Sequence, residues 1–430
     1  MQYTYEQAVD YLLNIPKFAK KTTKDNLLSL LKKLGDPQKK KPAIHVAGTN
    51  GKGSTCAYMN SILLKAGFHT GLFTSPHLVD LEERFRLDGE VVAREEFLCC
   101  FHLFKQAMDA HVKEGNAHLS FFEAVFVIGT LIFSRAPIDY AIYETGLGGR
   151  LDATNVLIPR LTVITSIGRD HMQFLGDTIE QIAEEKAGII KEGVPVVYLA
   201  NTEASAVISR KAVEKCAKEI KLSKEFIKFL KKDQKHIDFC FNTRYIRYDS
   251  LTIDTCAEYQ MENASLAILA IHELIPTVKS EVVREGIKAM KWSCRMEEIM
   301  DGVYIDGAHN EPAVMRLMET VKQNKAESAL LFAVVQDKDY KKMIELLSKD
   351  NIFSKVIVTS VDEARSSNEE RIKEQFLLEG QHNVCAKKKS KEAFQIGLAW
   401  KKEKENRMLY CAGSLYLAGE LCKELKKGAL

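Results

Sequence analysis

Residues 44–55, Ile44-His45-Val46-Ala47-Gly48-Thr49-Asn50-Gly51-Lys52-Gly53-Ser54-Thr55, carry a short apolar run into a glycine-rich turn. Helical sequence follows from Thr55 to Ala66, with Gly67 placed as a C-terminal cap. The order is strand, loop, helix. Glycines let backbone N–H groups turn inward and the helix N-terminus adds partial positive charge, so a polyphosphate fits such a loop. On that reading Lys52 reaches the terminal phosphates, the Ser54 or Thr55 hydroxyl holds magnesium, and Gly48, Thr49, Asn50, Gly51 and Gly53 form the cradle. Gly53 stands between Lys52 and Ser54, a departure from GxxxxGK[ST], and an ordinary tight turn is the competing reading.

Outward from the loop, the chain alternates strands with helices. Upstream, Tyr11, Leu12, Leu13 and then Leu27, Leu28, Leu30, Leu31, Leu34 mark helical stripes ending at Gly35-Asp36-Pro37, expected to cover one edge. Downstream, a strand at residues 70–74 runs into Ser75-Pro76-His77-Leu78, and helical sequence fills 94–113 and 121–133. Strands at 138–144 and 161–166 lead to Thr145-Gly146-Leu147-Gly148-Gly149-Arg150 and Ile167-Gly168-Arg169-Asp170-His171. Such alternation predicts a parallel sheet, whose ligands sit at the carboxyl ends of the strands. Glu144 and His171 then share a rim with the loop. Thr178 to Gln181 is a capping box opening a helix expected to reach Lys191, and 194–200 is a further strand. Residues 201–255 mix helical and strand-like pieces without a clear assignment.

Composition resets near Trp292, and a second alternation begins at Val303-Tyr304-Ile305-Asp306, with strands expected at 330–335, 355–361 and 408–411. The fold class is α/β: a P-loop parallel-sheet ATPase domain over residues 1–293, then a smaller Rossmann-like α/β domain over 294–430.

The 430 residues are 46% hydrophobic, enough for substantial cores. The longest apolar run, Ala124 to Phe133, is too short for a membrane span, and Met1-Gln2-Tyr3-Thr4-Tyr5-Glu6 lacks the regions of a signal peptide. A cytoplasmic location is expected. Ten cysteines without a CxxC pair read as reduced thiols. The net charge of +3 makes no case for nucleic acid, and the Lys39-Lys40-Lys41 run is too short for a polyanion site. No nucleic-acid or membrane partner is expected.

Taken singly, the candidate residues have plain readings. Glu144 reads as a strand-end surface acid, His171 as a hydrogen-bonded turn histidine, Ser75 as a turn residue and Lys186 as a solvated helix lysine. Together they form a pattern. GTNGKGS (48–54), TSPHL (74–78), ETGLGGRLDATN (144–155), DHMQFLG (170–176), IAEEKAGIIK (182–191), DGAHN (306–310), DKD (337–339) and GSLYLAGE (413–420) resemble the folylpolyglutamate synthase and dihydrofolate synthase family of the Mur ligase superfamily. The motifs occur in the family's order and span nearly the whole chain.

The resemblance implies an ATP-dependent amide ligase that adds L-glutamate to a folate, and to dihydropteroate as well, through an acyl phosphate. Chain extension alone is the alternative. More remote are a peptidoglycan-precursor ligase and a non-catalytic nucleotide-dependent binding protein. It also implies ATP and two magnesium ions as cofactors and a monomeric state. Carried over by residue, Lys52, His171 and Lys186 are the catalytic set, and Ser75, Glu144 and His171 the magnesium positions. A histidine ligand must be neutral, so activity is expected to fall as pH drops through about 6.5. Lys186 matches the lysine carbamylated in the family, where a free ammonium would repel the metal. Asn263, Arg295, Asp306 and His309 join the loop in ATP binding; Arg84 and Ser414 are candidates for the glutamate carboxylates. Phe122 and Asp152 are candidates for the pterin pocket, with plain core packing the competing reading of Phe122. The chain departs from the family where Glu311 precedes Pro312, where Cys294 replaces a usual glycine, and where Arg169 replaces an apolar residue.

Overall fold

The computed structural model describes residues 3–15, 23–233, 235–336, 338–362 and 366–426. Asp337, the first residue of the DKD motif, lies outside them.

The glycine-rich loop grows from β1 (Ala43–Ala47), every residue of which is buried. Seven more strands complete its sheet: β2 (Thr70–Phe73), β3 (Phe85–Leu87), β4 (Glu90–Val91), β5 (Tyr140–Glu144), β6 (Leu161–Ile164), β7 (Val196–Leu199) and β8 (Glu219–Leu222). Their order is β4-β3-β2-β5-β1-β6-β7-β8. All neighbours from β2 to β8 pair in parallel, and β3 and β4 add an antiparallel edge. Helices cover both faces, which is why these strands read as unbroken apolar runs. One face packs on the 94–113 and 121–135 helices together with the N-terminal ones, Tyr5–Leu13 and Lys24–Lys33. The other packs on the loop helix and on Tyr259–Leu274.

The loop helix runs Lys52–Lys65, three residues earlier than the sequence predicts, because Gly51 adopts a left-handed conformation (φ 83°) that turns the chain directly into the first helical residue. Thr178 and Gln181 form the expected capping box, but that helix ends at Ala187 rather than at Lys191. Gly188 lies so close to Arg150 that a Cβ there would meet the arginine Cβ at 2.4 Å.

Residues 201–255 resolve into a helix (Ser205–Glu214), β8, and a separate antiparallel sheet. That sheet comprises β9 (Ile227–Lys232), β10 (Ile237–Asn242) and β11 (Arg247–Ile253), in the order β11-β10-β9. Strict alternation in β10 buries Ile237, Phe239 and Phe241 against the large domain.

The second α/β domain holds β12 (Glu297–Met300), β13 (Val303–Ile305), β14 (Glu327–Phe332), β15 (Phe353–Thr359), β16 (Val384–Lys387) and β17 (Arg407–Ala412). The order is β12-β13-β17-β14-β15-β16, with β12 antiparallel to β13 and the remaining pairs parallel. The expected α/β class, a large parallel-rich sheet followed by a smaller α/β domain, is what the structure has. No described helix is long and apolar enough to cross a membrane.

Candidate active site

A cavity of about 350 Å³ opens where the carboxyl rim of the large sheet meets the turn after β13. The large domain lines it with residues 48–54, Ser75, Glu144, Asp170, His171, Lys186 and Asn263. The second domain contributes Arg295, Asp306, His309, Lys338 and Ser414.

The loop is held from behind by the end of β6. Thr49 N–H donates to Ser166 O (2.8 Å) and Thr165 Oγ1 donates to Asn50 O (2.7 Å). A side chain has no room at two of the glycines: a Cβ on Gly48 would lie 1.8 Å from Thr165 Oγ1, and one on Gly51 2.3 Å from Asn263 Oδ1. Lys52 curls over the turn and donates to Gly48 O (3.1 Å) and Thr49 O (3.2 Å). Lys186 donates to the same Gly48 O at 2.7 Å. Burial, then the charge of Lys52, pulls the Lys186 amine down to about 7, against the opposing pull of Asp170 and Asp152. Ser54 Oγ accepts from Gln260 Nε2 (3.2 Å).

At the end of β5, Glu144 Oε2 accepts the Ser75 N–H at 3.0 Å. Burial pushes the Glu144 carboxyl up, and the positive charges of Lys52, Arg295 and Arg84 work against that shift. His171 takes a left-handed backbone (φ 50°) whose N–H donates to Asp170 Oδ1 (2.9 Å). Asp170 is buried, which opposes its ionisation, but His309, Lys338 and His171 hold its carboxyl well below the usual carboxylate range.

In the second domain Asp306 spends its oxygens on its own surroundings. Oδ1 accepts Ala308 N–H (2.8 Å), and Oδ2 accepts Met296 N–H (2.8 Å) and Tyr259 Oη–H (3.0 Å). His309 Nδ1 donates to Gly307 O (2.8 Å), and burial pulls its imidazole down to about 4, so it is neutral at pH 7. Cys294, where the family usually has glycine, sits at φ 58°, a conformation that glycine adopts without strain. Pro312 remains in the first turn of the Glu311–Lys322 helix despite the intervening Glu311.

Of the residues expected at the site, Thr55, Arg84, Phe122 and Asp152 do not line the cavity. Thr55 is enclosed in the loop helix, its Oγ1 buried without a hydrogen-bond partner. Arg84 donates to His77 Nδ1 (2.8 Å) and stacks 5.4 Å from the Phe121 ring; burial lowers it to about 10. Phe122 packs on Phe73 and backs Gly146, where a Cβ would come within 2.6 Å of the ring. Asp152 accepts from the N–H groups of Gly146 (3.0 Å), Leu147 (2.8 Å) and Thr154 (3.0 Å). Phe122 and Asp152 thus act behind the 145–150 wall, one as packing and one as the acceptor that shapes it.

Sequence reasoning missed Tyr259, Lys338 and the role of Asp170 as an acceptor. Lys338 lay inside the DKD motif and Asp170 inside DHMQFLG, so both were visible but unassigned; Tyr259 had no motif to mark it.

The oxygen donors suit magnesium. Among the described residues no group of three or more His, Cys, Asp or Glu forms a protein-only cage. The buried Glu144 carboxylate and Ser75 stand beside the phosphate loop, where a hard cation would still need phosphate oxygens and water to complete its shell.

Residues 46–271 match the Mur ligase middle domain and residues 294–415 the Mur ligase glutamate ligase domain. The chain is 36% identical to the dihydrofolate synthase/folylpolyglutamate synthase of Bacillus subtilis (strain 168), over 98% of this chain and 99% of that one. It is 29% identical to the folylpolyglutamate synthase of Lacticaseibacillus casei, over 99% of each. Among solved structures, the folylpolyglutamate synthase of Thermotoga maritima superposes with a TM-score of 0.84 at 29% identity, covering 99% of this chain and 97% of that one. E. coli FolC in complex with DHPP and ADP gives 0.87 at 25% identity, covering 100% and 99%. A phosphate loop facing a second α/β domain across one cleft is the build of an ATP-dependent carbon–nitrogen ligase of the Mur type. Within that class, the chain belongs to the dihydrofolate synthase/folylpolyglutamate synthase family.

Proposed function

We propose that this protein joins L-glutamate by an amide bond to the glutamate tail of tetrahydrofolate and also to dihydropteroate, using ATP. The observation that carries the reading is the convergence of Lys52, Lys186, Glu144, Ser75 and His171 on one cleft that the second domain closes with Arg295, Asp306 and His309.

A carboxylate resists nucleophiles because its charge is delocalised and its leaving group would be oxide. Transfer of the γ-phosphoryl group to a carboxylate oxygen gives an acyl phosphate. The neutral α-amine of glutamate then attacks the acyl carbon, phosphate leaves with the C–O electron pair, and the amine's proton is lost. The protein's work is to align three anions and screen their charge. Lys52 and the loop N–H groups meet the β- and γ-phosphates. Asn263 backs the loop. Arg295, Asp306 and His309 face the nucleotide from the second domain, and Ser414 is assigned to a glutamate carboxylate, while Arg84, which does not line the cleft, acts on Glu144 through its positive charge. Ser75, Glu144 and His171 would hold magnesium, two ions in all, which supplies charge neutralisation at the transferring phosphoryl group.

Lys186 is the residue to be carbamylated. Its amine, pulled down to about 7, is largely neutral in slightly alkaline solution and can attack carbon dioxide. Its Nζ sits 2.7 Å from the loop carbonyl of Gly48. The enzyme acts as a cytoplasmic monomer without nucleic-acid or membrane partners, its two units dividing at residues 293 and 294.

The test is phosphate release by the purified protein with ATP, magnesium and glutamate, offered dihydropteroate in one tube and tetrahydrofolate in another. Release in both is expected. Release with tetrahydrofolate alone reduces the proposal to chain extension, and silence in both overturns it.

A further inference from the structure

One side chain from the second domain enters the first domain's metal end, and the reaction scheme above leaves it without a role. Lys338 follows β14, at the carboxyl end of the second sheet, and its ammonium reaches across the cleft. Nζ donates to Asp170 Oδ1 at 2.6 Å and lies 3.2 Å from His171 Nε2. Both members of the ion pair are buried, with side chains 8% and 9% exposed, and 168 residues separate them.

The chemistry of these contacts is directional. An ammonium has donors only, and Asp170 Oδ1 is the oxygen that accepts from it. Asp170 Oδ1 also accepts the His171 backbone N–H, which holds the left-handed turn that aims the ring. Asp170 Oδ2 accepts from Asn310 Nδ2 (2.9 Å), and Asn310 exchanges two 3.1 Å hydrogen bonds with Asn50 of the phosphate loop. His309 Nε2 lies 3.7 Å from the same oxygen. One carboxylate of the first domain therefore gathers Lys338, Asn310 and His309 of the second.

We infer that Lys338 is a positioning residue: through its buried ion pair with Asp170 it seats the second domain on the phosphate-loop end of the cleft. The inference rests on the ligase reading. An isolated surface pair would contribute little, but here a buried carboxylate stands without its countercharge once the lysine is removed.

The experiment compares Lys338→Met, Lys338→Arg, Asp170→Asn and the double variant Asp170→Asn/Lys338→Met with the parent enzyme. Lys338→Met is expected to lower kcat about 100-fold, as a misplaced catalytic group does, with a much smaller change in KM for ATP. Lys338→Arg should recover most of that loss. The double variant, which removes both charges and so folds even where Lys338→Met does not, should be no slower than the worse single variant. Small-angle X-ray scattering with a non-hydrolysable ATP analogue bound should give a larger radius of gyration for Lys338→Met than for the parent, and the parent value for Lys338→Arg. Parent-like kcat in Lys338→Met, additive losses in the double variant, or a parent-like radius of gyration in Lys338→Met would each overturn the inference. Scattering needs no turnover, so a parent enzyme inactive on both folate substrates would sink the ligase reading and leave the Lys338–Asp170 seating separately tested.

Discussion

Two strand–turn–helix junctions face each other across the cleft, and they make opposite use of the same topology. The first runs from β1 through residues 48–51 into the Lys52–Lys65 helix; the second runs from β13 through residues 306–310 into Glu311–Lys322. The first helix has no side-chain cap, and its glycines clear the space in front of the first turn. The second is capped by Asn310, which accepts the Ala313 N–H at 3.0 Å, and Asp306 takes the N–H of Ala308 in its own turn and that of Met296 ahead of β12. A first helical turn without a side-chain cap leaves its N–H groups to an anion, whereas a turn rich in carboxylate and amide satisfies itself and becomes a docking surface.

The comparison breaks most visibly at Lys52. Lys52→Met should cut phosphate release about 1,000-fold while thermal melting stays near the parent value, because the lysine makes its bonds only to loop carbonyls at the surface of the cleft. Gly51→Ala should follow, since a Cβ there meets Asn263 Oδ1 and the backbone is left-handed. A destabilisation of about 1–3 kcal/mol in urea melts is expected, together with weakened binding of a non-hydrolysable ATP analogue. Asn310→Ala tests the second junction. Loss of the cap alone costs about 1 kcal/mol, and the broken bonds to Asn50 and Asp170 should add a drop in kcat. Asn310→Ser, which keeps a capping oxygen but cannot span to both partners, should recover the stability and not the rate.

Lys186 sharpens the comparison through pH. Its folded-state pKa of about 7 lies below the ordinary lysine value of 10.5, so the unfolded chain binds more protons between those limits. Its contribution to stability therefore rises with pH through that window and is lowest below about 7. The same shift makes uptake of carbon dioxide easier as pH rises. Activity stripped of carbon dioxide should return on adding bicarbonate, faster at about pH 8 than at about pH 6. Recovery at equal rates would remove the amine from that step. The smallest effect is expected at the opposite end of the same sheet, where Lys39, Lys40, Lys41 and Arg160 line a second, basic cavity. Lys40→Ala should change stability by less than about 0.5 kcal/mol and leave the rate unaltered.

How far the sequence could be read varied with the kind of residue. Strands buried on both faces announce themselves as apolar runs: β2, β5, β6 and β7 lie within the stretches expected from their sequence, and β1 begins one residue earlier, at Ala43. The three-stranded sheet escaped assignment because β9 is mostly exposed and lysine-rich, so only β10 shows alternation, over six residues. At the site, the glycine loop, Ser75, Glu144, His171 and Lys186 were legible through their motifs, and all of them line the cavity. Asp152 also lay in a motif and Phe122 in none, yet both support the 145–150 wall from behind; sequence spacing does not say which face of a loop a side chain serves.

By itself the sequence determined what is local: where strands give way to helices, which turns require glycine, and which polar residues stand at strand ends. Periodicity and backbone sterics act over a few residues, so they survive without knowledge of the rest of the chain. Only the tertiary structure decided which of those groups meet. Lys186 lands on Gly48 O, Asn310 on Asn50, and Lys338 on Asp170, contacts that span 138, 260 and 168 residues. Such contacts depend on how the two sheets and their helices pack, and burial within that packing moves Lys186 to about 7 and His309 to about 4.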